Sequence, residues 1–196
     1  MDADIDELPI LGEPLAVELA NTRYGQGDDA IDFLGTGAAA RVWLEASAAA
    51  PTPGVRDLGP QGLTRLSQLR DAVHELCAAT VDGRPVRRSI LRAINDASAL
   101  APPQRALALG PGGVVGVHTR RVGSVLDRLL ATLADETFGL FEGEASARLR
   151  RCPGPECGMF FVQHHHRRRF CHASCSHRAR QAAYYRRRRD AQVADG

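Results

Sequence analysis

Residues 151–178 read Arg-Cys-Pro-Gly-Pro-Glu-Cys-Gly-Met-Phe-Phe-Val-Gln-His-His-His-Arg-Arg-Arg-Phe-Cys-His-Ala-Ser-Cys-Ser-His-Arg. Four of the five cysteines of the 196-residue chain fall here, spaced Cys152-x4-Cys157-x13-Cys171-x3-Cys175. Zinc takes four soft or borderline ligands at tetrahedral corners, and thiolates meet that demand. The insert Pro153-Gly-Pro-Glu156 is turn-forming and folds the first pair into a knuckle. The second pair, spaced i and i+4, puts both thiols on one face of a helix. Four thiolates close the coordination sphere, whereas a catalytic zinc keeps a position open for water. One structural Zn2+ held by Cys152, Cys157, Cys171 and Cys175 is therefore expected. His172 and His177 flank the second pair, and either could substitute for a thiol. Met159–Val162 and Arg169-Phe170 read as the arms of a short hairpin. His164, His165 and His166 sit at its tip as a solvated loop rather than a second metal site. A unit this small has little core, so its metal-binding energy is largely its folding energy.

Working outward, the segment from His172 to about Arg189 reads as a helix. It carries Arg178, Arg180, Arg186, Arg187, Arg188 and Arg189, with Tyr184 and Tyr185 interleaved, and Arg167, Arg168 and Arg169 precede it. Charge is distributed unevenly. From residue 148 onward there are 12 Arg against 3 acidic residues; the first 147 residues carry 13 Arg against 20 acidic ones. The near-neutral total of +2 hides a basic tail of +9 on an acidic body of −7. Guanidinium groups match phosphate geometry, and neutralising several phosphates gives salt-dependent affinity. Arg167, Arg168, Arg169, Arg178, Arg180, Arg186, Arg187 and Arg188 are thus candidate nucleic-acid contacts. DNA is the expected partner and RNA the alternative, since charge does not separate them. The bland alternative is a solvated basic surface, or one that packs on the acidic body.

Upstream, the chain reads as mainly helical. Leu15–Thr22 is short and apolar on one side, either helix or strand, and Ile31–Ala46 reads as a helix with Leu34, Val42, Trp43 and Leu44 turned inward. A Pro- and Gly-containing linker spans 47–62. Leu63, Leu66, Leu69, Val73, Leu76 and Cys77 form an apolar stripe at helical spacing, which Asp82-Gly83 ends. Pro85 opens the next helix, with Ile90, Leu91 and Ile94 inward. Arg105–Leu109 and Val114–His118 around Gly110-Pro-Gly-Gly113 read as a small β-hairpin. A long helix then runs from Val122 through Leu126, Leu129, Leu130 and Leu133 to about Phe141. Cys77, on its stripe, reads as a buried inert thiol, and Trp43 as core.

The segments Arg151–Phe161, Arg168–Cys171 and Cys175-Ser-His-Arg178 resemble the CGNR zinc finger, a bacterial family named for its second-pair signature. Pro14-Leu-Ala-Val-Glu-Leu-Ala-Asn-Thr22 resembles the opening of the ABATE domain that accompanies that finger, and Asp32-Phe-Leu, Trp43-Leu and Leu69-Arg70 fit the same pattern. The signature Gly and Asn are Ser176 and His177 here, and the usual Trp before the third cysteine is Phe170. The resemblance implies a stress-response transcription regulator with a DNA-binding finger and a sensory or regulatory N-terminal domain. Asn21 and Arg23, from the opening motif, are candidates for a ligand site, read otherwise as a helix C-cap and a surface ion pair.

The expected fold is α+β: a mainly helical N-terminal domain (1–147) with a small hairpin, then a treble-clef-like finger (148–196). No catalytic residue is assigned, and an enzyme is not expected, because no nucleophile–base pair or phosphate-binding Gly motif is found; the alternative from another class is a small-molecule-binding protein or enzyme in which the finger is only structural. An acidic N-terminus and the lack of an apolar span point to a cytoplasmic protein. A small-molecule effector and a homodimer are the further partners considered. A twofold operator would need a dimer, although no heptad seam identifies one.

Overall fold

The computed structural model describes residues 8–25, 30–47 and 58–194. The expected linker falls largely on residues 48–57, which lie outside them. In chain order the elements are α1 (Leu15–Asn21), β1 (Arg23–Tyr24), β2 (Ile31–Asp32), α2 (Gly37–Ala46), α3 (Gly59–Asp82), α4 (Arg88–Ala99), β3 (Pro103–Leu109), β4 (Val115–Arg121), α5 (Val125–Glu142), β5 (Leu149–Arg151), β6 (Phe160–Val162) and α6 (Ala173–Ala194). The strands form three antiparallel pairs, β1–β2, β3–β4 and β5–β6.

Helix α1 settles the first open choice of the sequence. All seven of its residues are buried, as befits a helix apolar on nearly every side. Helices α3 and α5 pack against it, and α4 packs on both of those. Glu18 is, with Asn21 at its end, an exception to its apolar character. Its carboxylate accepts the backbone N–H groups of Leu11 at 2.8 Å and Glu13 at 2.7 Å, so the incoming chain is satisfied without water. Burial still pushes this carboxyl above its usual range, against those hydrogen bonds.

Several boundaries differ from the sequence reading, each for a local reason. The helix expected from Ile31 begins at Gly37, where the Thr36 side chain accepts from the Ala39 N–H. Before it, Ile31–Asp32 pairs with Arg23–Tyr24, and Asp32 accepts the Leu34 N–H at 3.0 Å. Val42 is only partly covered. The helix expected at Pro85 starts at Arg88, and Leu91 is exposed while Ile94 is buried. The long helix starts at Val125, not Val122, because Ser124 caps it through the Asp127 N–H. Gly83, at φ 63, ends α3 as expected.

The core is continuous from the helices into the cysteine segment. Leu149, Phe160 and Val162 of β5 and β6 belong to the same buried cluster as α1, α3 and α5. Phe161, on the opposite face of β6, joins the four cysteines in a second cluster with Leu11, Met159 and Phe170 around it. Strand alternation thus fastens one hairpin to two cores.

Candidate metal centre and basic helix

The knuckle grows out of the β5–β6 hairpin. Arg151 pairs with Phe160, and the Cys152 N–H donates to the Met159 carbonyl at 2.7 Å. Strand 160–162 therefore pairs with residues 149–151 rather than with Arg169-Phe170; the latter belong to a loop. In that loop the Gln163 amide donates to the Arg168 carbonyl at 2.7 Å. Between the strands the chain turns tightly, with Glu156 at φ 60 and Gly158 at φ 70. Gly154 is required by space. A Cβ on it would lie 2.9 Å from the Cys175 Cβ and 3.4 Å from two of the sulfurs.

Cys152, Cys157, Cys171 and Cys175 are all buried, and their sulfurs lie within 4.8 Å of one another. Cys157 and Cys171 are 3.5 Å apart, and Cys171 and Cys175 3.6 Å. A zinc ion with Zn–S bonds of about 2.3 Å at tetrahedral angles sets neighbouring sulfurs about 3.8 Å apart, so the quartet fits one ion. His172 and His177 are exposed and outside the cluster. His172 Nδ1 instead meets the Ser174 hydroxyl at 2.9 Å, in the first turn of α6.

Four thiolates this close repel one another. Hydrogen bonds from Cys157 and Cys171 lower the Cys152 thiol, and that thiolate raises Cys157 and Cys171 in turn. A dication resolves the conflict by letting all four ionise. A Zn2+ with four thiolates carries a net −2, and the cage tempers it. The Gly154 and Cys171 N–H groups approach the Cys152 sulfur at 3.5 Å, and the Arg178 guanidinium donates to the Cys175 sulfur at 3.2 Å.

The arginines expected on nucleic acid divide into groups. Arg168 faces inward: its Nη2 lies 2.6 Å from Glu13 Oε1 and 2.8 Å from the Cys171 carbonyl, and its guanidinium sits over the Phe161 ring at 4.9 Å. Arg178 serves the Cys175 sulfur. Arg167 and Arg169 are exposed on the loop beside His164, His165 and His166, which are also exposed. Arg180, Arg186, Arg187 and Arg188 are exposed along α6, together with Arg189, Tyr184 and Tyr185. From Arg180 to Arg189 no described side chain is buried, and the helix continues to Ala194.

The candidate ligand residues take other roles. Asn21 is fully buried, and its amide donates to the Phe160 carbonyl at 2.9 Å while its oxygen accepts the Phe160 N–H at 2.7 Å. It thus pairs with the outer edge of β6. Glu13, which the sequence reading did not single out, does the same one step along: its Oε2 accepts the Val162 N–H at 2.8 Å. Arg23 lies at the surface 3.5 Å from Asp71. A cleft of about 580 Å3 does occur at the seam, between Leu8–Leu11 and Tyr24 on one side and Met159, His172, Ser174 and Arg178 on the other. Neither Asn21 nor Arg23 is among the described residues that line it. The signal for Glu13 and Asn21 was a polar residue at each end of a run in which Glu18 is the one other polar residue.

Two family models match the chain. ABATE, described as "Putative stress-induced transcription regulator", matches residues 13–144, and the CGNR zinc finger matches residues 148–188. No curated protein matches.

Proposed function

The chain belongs to the ABATE family and carries a CGNR zinc finger, and from that premise we propose that it regulates transcription by laying α6 in the major groove of duplex DNA. The observation that carries this reading is the helix itself. Twenty-two residues at 1.5 Å each make a rod about 33 Å long, and ten consecutive residues of it have no buried side chain. A helix polar on every side is not held by a core. Successive residues turn by about 100°, so Arg186, Arg187, Arg188 and Arg189 point to all sides. A helix lying on a flat surface would waste half of them. A helix in a groove has a phosphate wall on either flank, and arginines on opposite sides reach both.

The zinc does no chemistry in this reading; it fixes the first turn of α6 to the knuckle. Strand β6, next to the knuckle, is in turn held by Asn21 of α1 and by Glu13 just before it, so a regulatory input to the helical body can reach the DNA-binding helix through these contacts. Duplex-DNA binding measured by fluorescence anisotropy at several salt concentrations tests the proposal. The triple substitution of Arg186, Arg187 and Arg188 by Gln should weaken binding and flatten the log–log salt slope by about 2–3, at roughly 0.9 for each phosphate no longer neutralised. Binding unchanged by these substitutions or by zinc chelation, or tighter binding of structured RNA at matched salt, would overturn it.

A further inference from the structure

Residues 106–117 read Ala-Leu-Ala-Leu-Gly-Pro-Gly-Gly-Val-Val-Gly-Val, twelve positions without one polar side chain. They form most of the β3–β4 ribbon, and every residue from 102 to 120 is exposed. Leu107, Leu109, Val114, Val115 and Val117 are 56–76% exposed. Leu107 stands opposite Val117, and Leu109 opposite Val115, on one face; Ala106, Ala108 and Gly116 occupy the other. A strand with a solvated face alternates apolar and polar residues, and a continuous apolar run marks strands covered on both faces. This ribbon has the sequence of a buried element and the position of a free one. Among the described residues it is anchored at its root, where Arg121 donates to the Ala101 carbonyl at 2.6 Å and lies 2.6 Å from Asp135. A lone two-stranded hairpin is marginal in water.

We propose that the ribbon is an arm exchanged between two copies of this chain, each arm packing on the other copy's body. Three observations select this occupant. Among the described residues the ribbon is two-stranded, so both outer edges carry unpaired backbone groups; polar groups of a second copy can satisfy them, and hydrocarbon cannot. The charges are complementary. Arg105 and Arg120 are exposed on the root half of the ribbon, and the body offers exposed Asp96, Glu136 and Glu142. The area is sufficient. Seven residues at about 3.4 Å give an arm about 24 Å long and, for two strands, about 10 Å wide. Two arms covered on both faces bury on the order of 1,900 Å2 in total, within the range of stable interfaces. Leu100 and Val122, 40% and 58% exposed beside the root, extend the apolar surface onto the body.

The test is the mass of the full zinc-loaded chain in the absence of DNA, by sedimentation equilibrium from about 1 to 100 μM. The wild-type chain should be a dimer. The double variant Leu107→Glu, Val117→Glu should be a monomer that keeps its zinc content and far-UV circular dichroism, because neither side chain touches the core. A second variant, Leu109→Glu, should weaken the dimer at least tenfold on its own. A wild-type chain that stays monomeric at 100 μM, or a double variant that still dimerises, overturns the proposal. So does a monomer that instead cosediments with phosphatidylglycerol vesicles through the ribbon. None of these readouts uses DNA, so the arm and the DNA-binding helix stand or fall separately.

Discussion

Arg70 holds a full charge at 1% exposure, deep on α3. Desolvation works against that charge, and two carboxylates offset it. Asp32 takes the guanidinium in a bidentate pair at 2.8 and 2.7 Å, and Asp71 accepts from Nε at 2.7 Å. The arrangement ties the β1–β2 turn to the central helix. It also has a pH signature. Burial alone would raise the Asp32 carboxyl, but the Arg70 hydrogen bonds and charge outweigh it and hold the group below its ordinary value. A depressed carboxylate stabilises the fold above its unfolded pKa of about 3.9, and that contribution is lost as pH falls through the lower folded value. Asp32→Asn should therefore cost about 2 kcal/mol at pH 7, a figure discounted because Asp32 is 44% exposed and Asp71 remains. The gap between the two proteins should narrow below about pH 4. Paired thermal melts across pH 3–7 check this, since acid release of zinc is common to both chains. A gap constant with pH would refute the assignment. Leu69-Arg70 and Asp32-Phe-Leu were visible in the sequence as motif fragments. Nothing in either fragment indicated that they meet, because thirty-eight positions separate the partners.

Among the elements, the knuckle and α6 were the most legible, for a physical reason. Ligand spacing, turn residues and the i, i+4 pair are local, and the metal supplies the tertiary constraint. The same locality sets a testable limit at Gly154. Its missing Cβ leaves room for the Cys175 Cβ, and both atoms hang on backbone that the metal fixes. Gly154→Ala should spread the knuckle and lower zinc affinity about tenfold, the low end for changes around metal ligands. Competition against a chromophoric chelator measures it, and an unchanged affinity would show that the knuckle yields freely. The helix starts at Gly37 and Val125 were less legible. Apolar periodicity ran on past them, and capping by Thr36 and Ser124 overrode it. The partner of strand 160–162 was misassigned to 169–170 because both candidate arms were short. The choice fell to Leu149, whose side chain the helical core buries.

On the scale of the whole molecule, the finger is not an appendage. Its hairpin contributes Leu149, Phe160 and Val162 to the main core, and Asn21 and Glu13 saturate the outer edge of β6. Removing zinc should then destabilise the entire chain. At zinc a thousandfold above its dissociation constant, binding contributes about 4 kcal/mol, which for a chain of this size is a shift near 10 °C. Chelation should lower a single far-UV transition by about that much. A helical body that melts at an unchanged temperature, with only the finger unfolded, would contradict the shared core. The sequence by itself determined the zinc ligands, the helical class, the exposed Arg-rich helix and the family resemblance. These rest on periodicity and on spacings of a few residues, which the backbone converts directly into geometry. Tertiary structure alone decided that Arg168 and Arg178 bond within the finger's own cage, that the Asn21 amide clasps β6, and that residues 106–117 stand in solvent. Each depends on which distant surfaces meet, and that is fixed by the sum of packing over the whole chain.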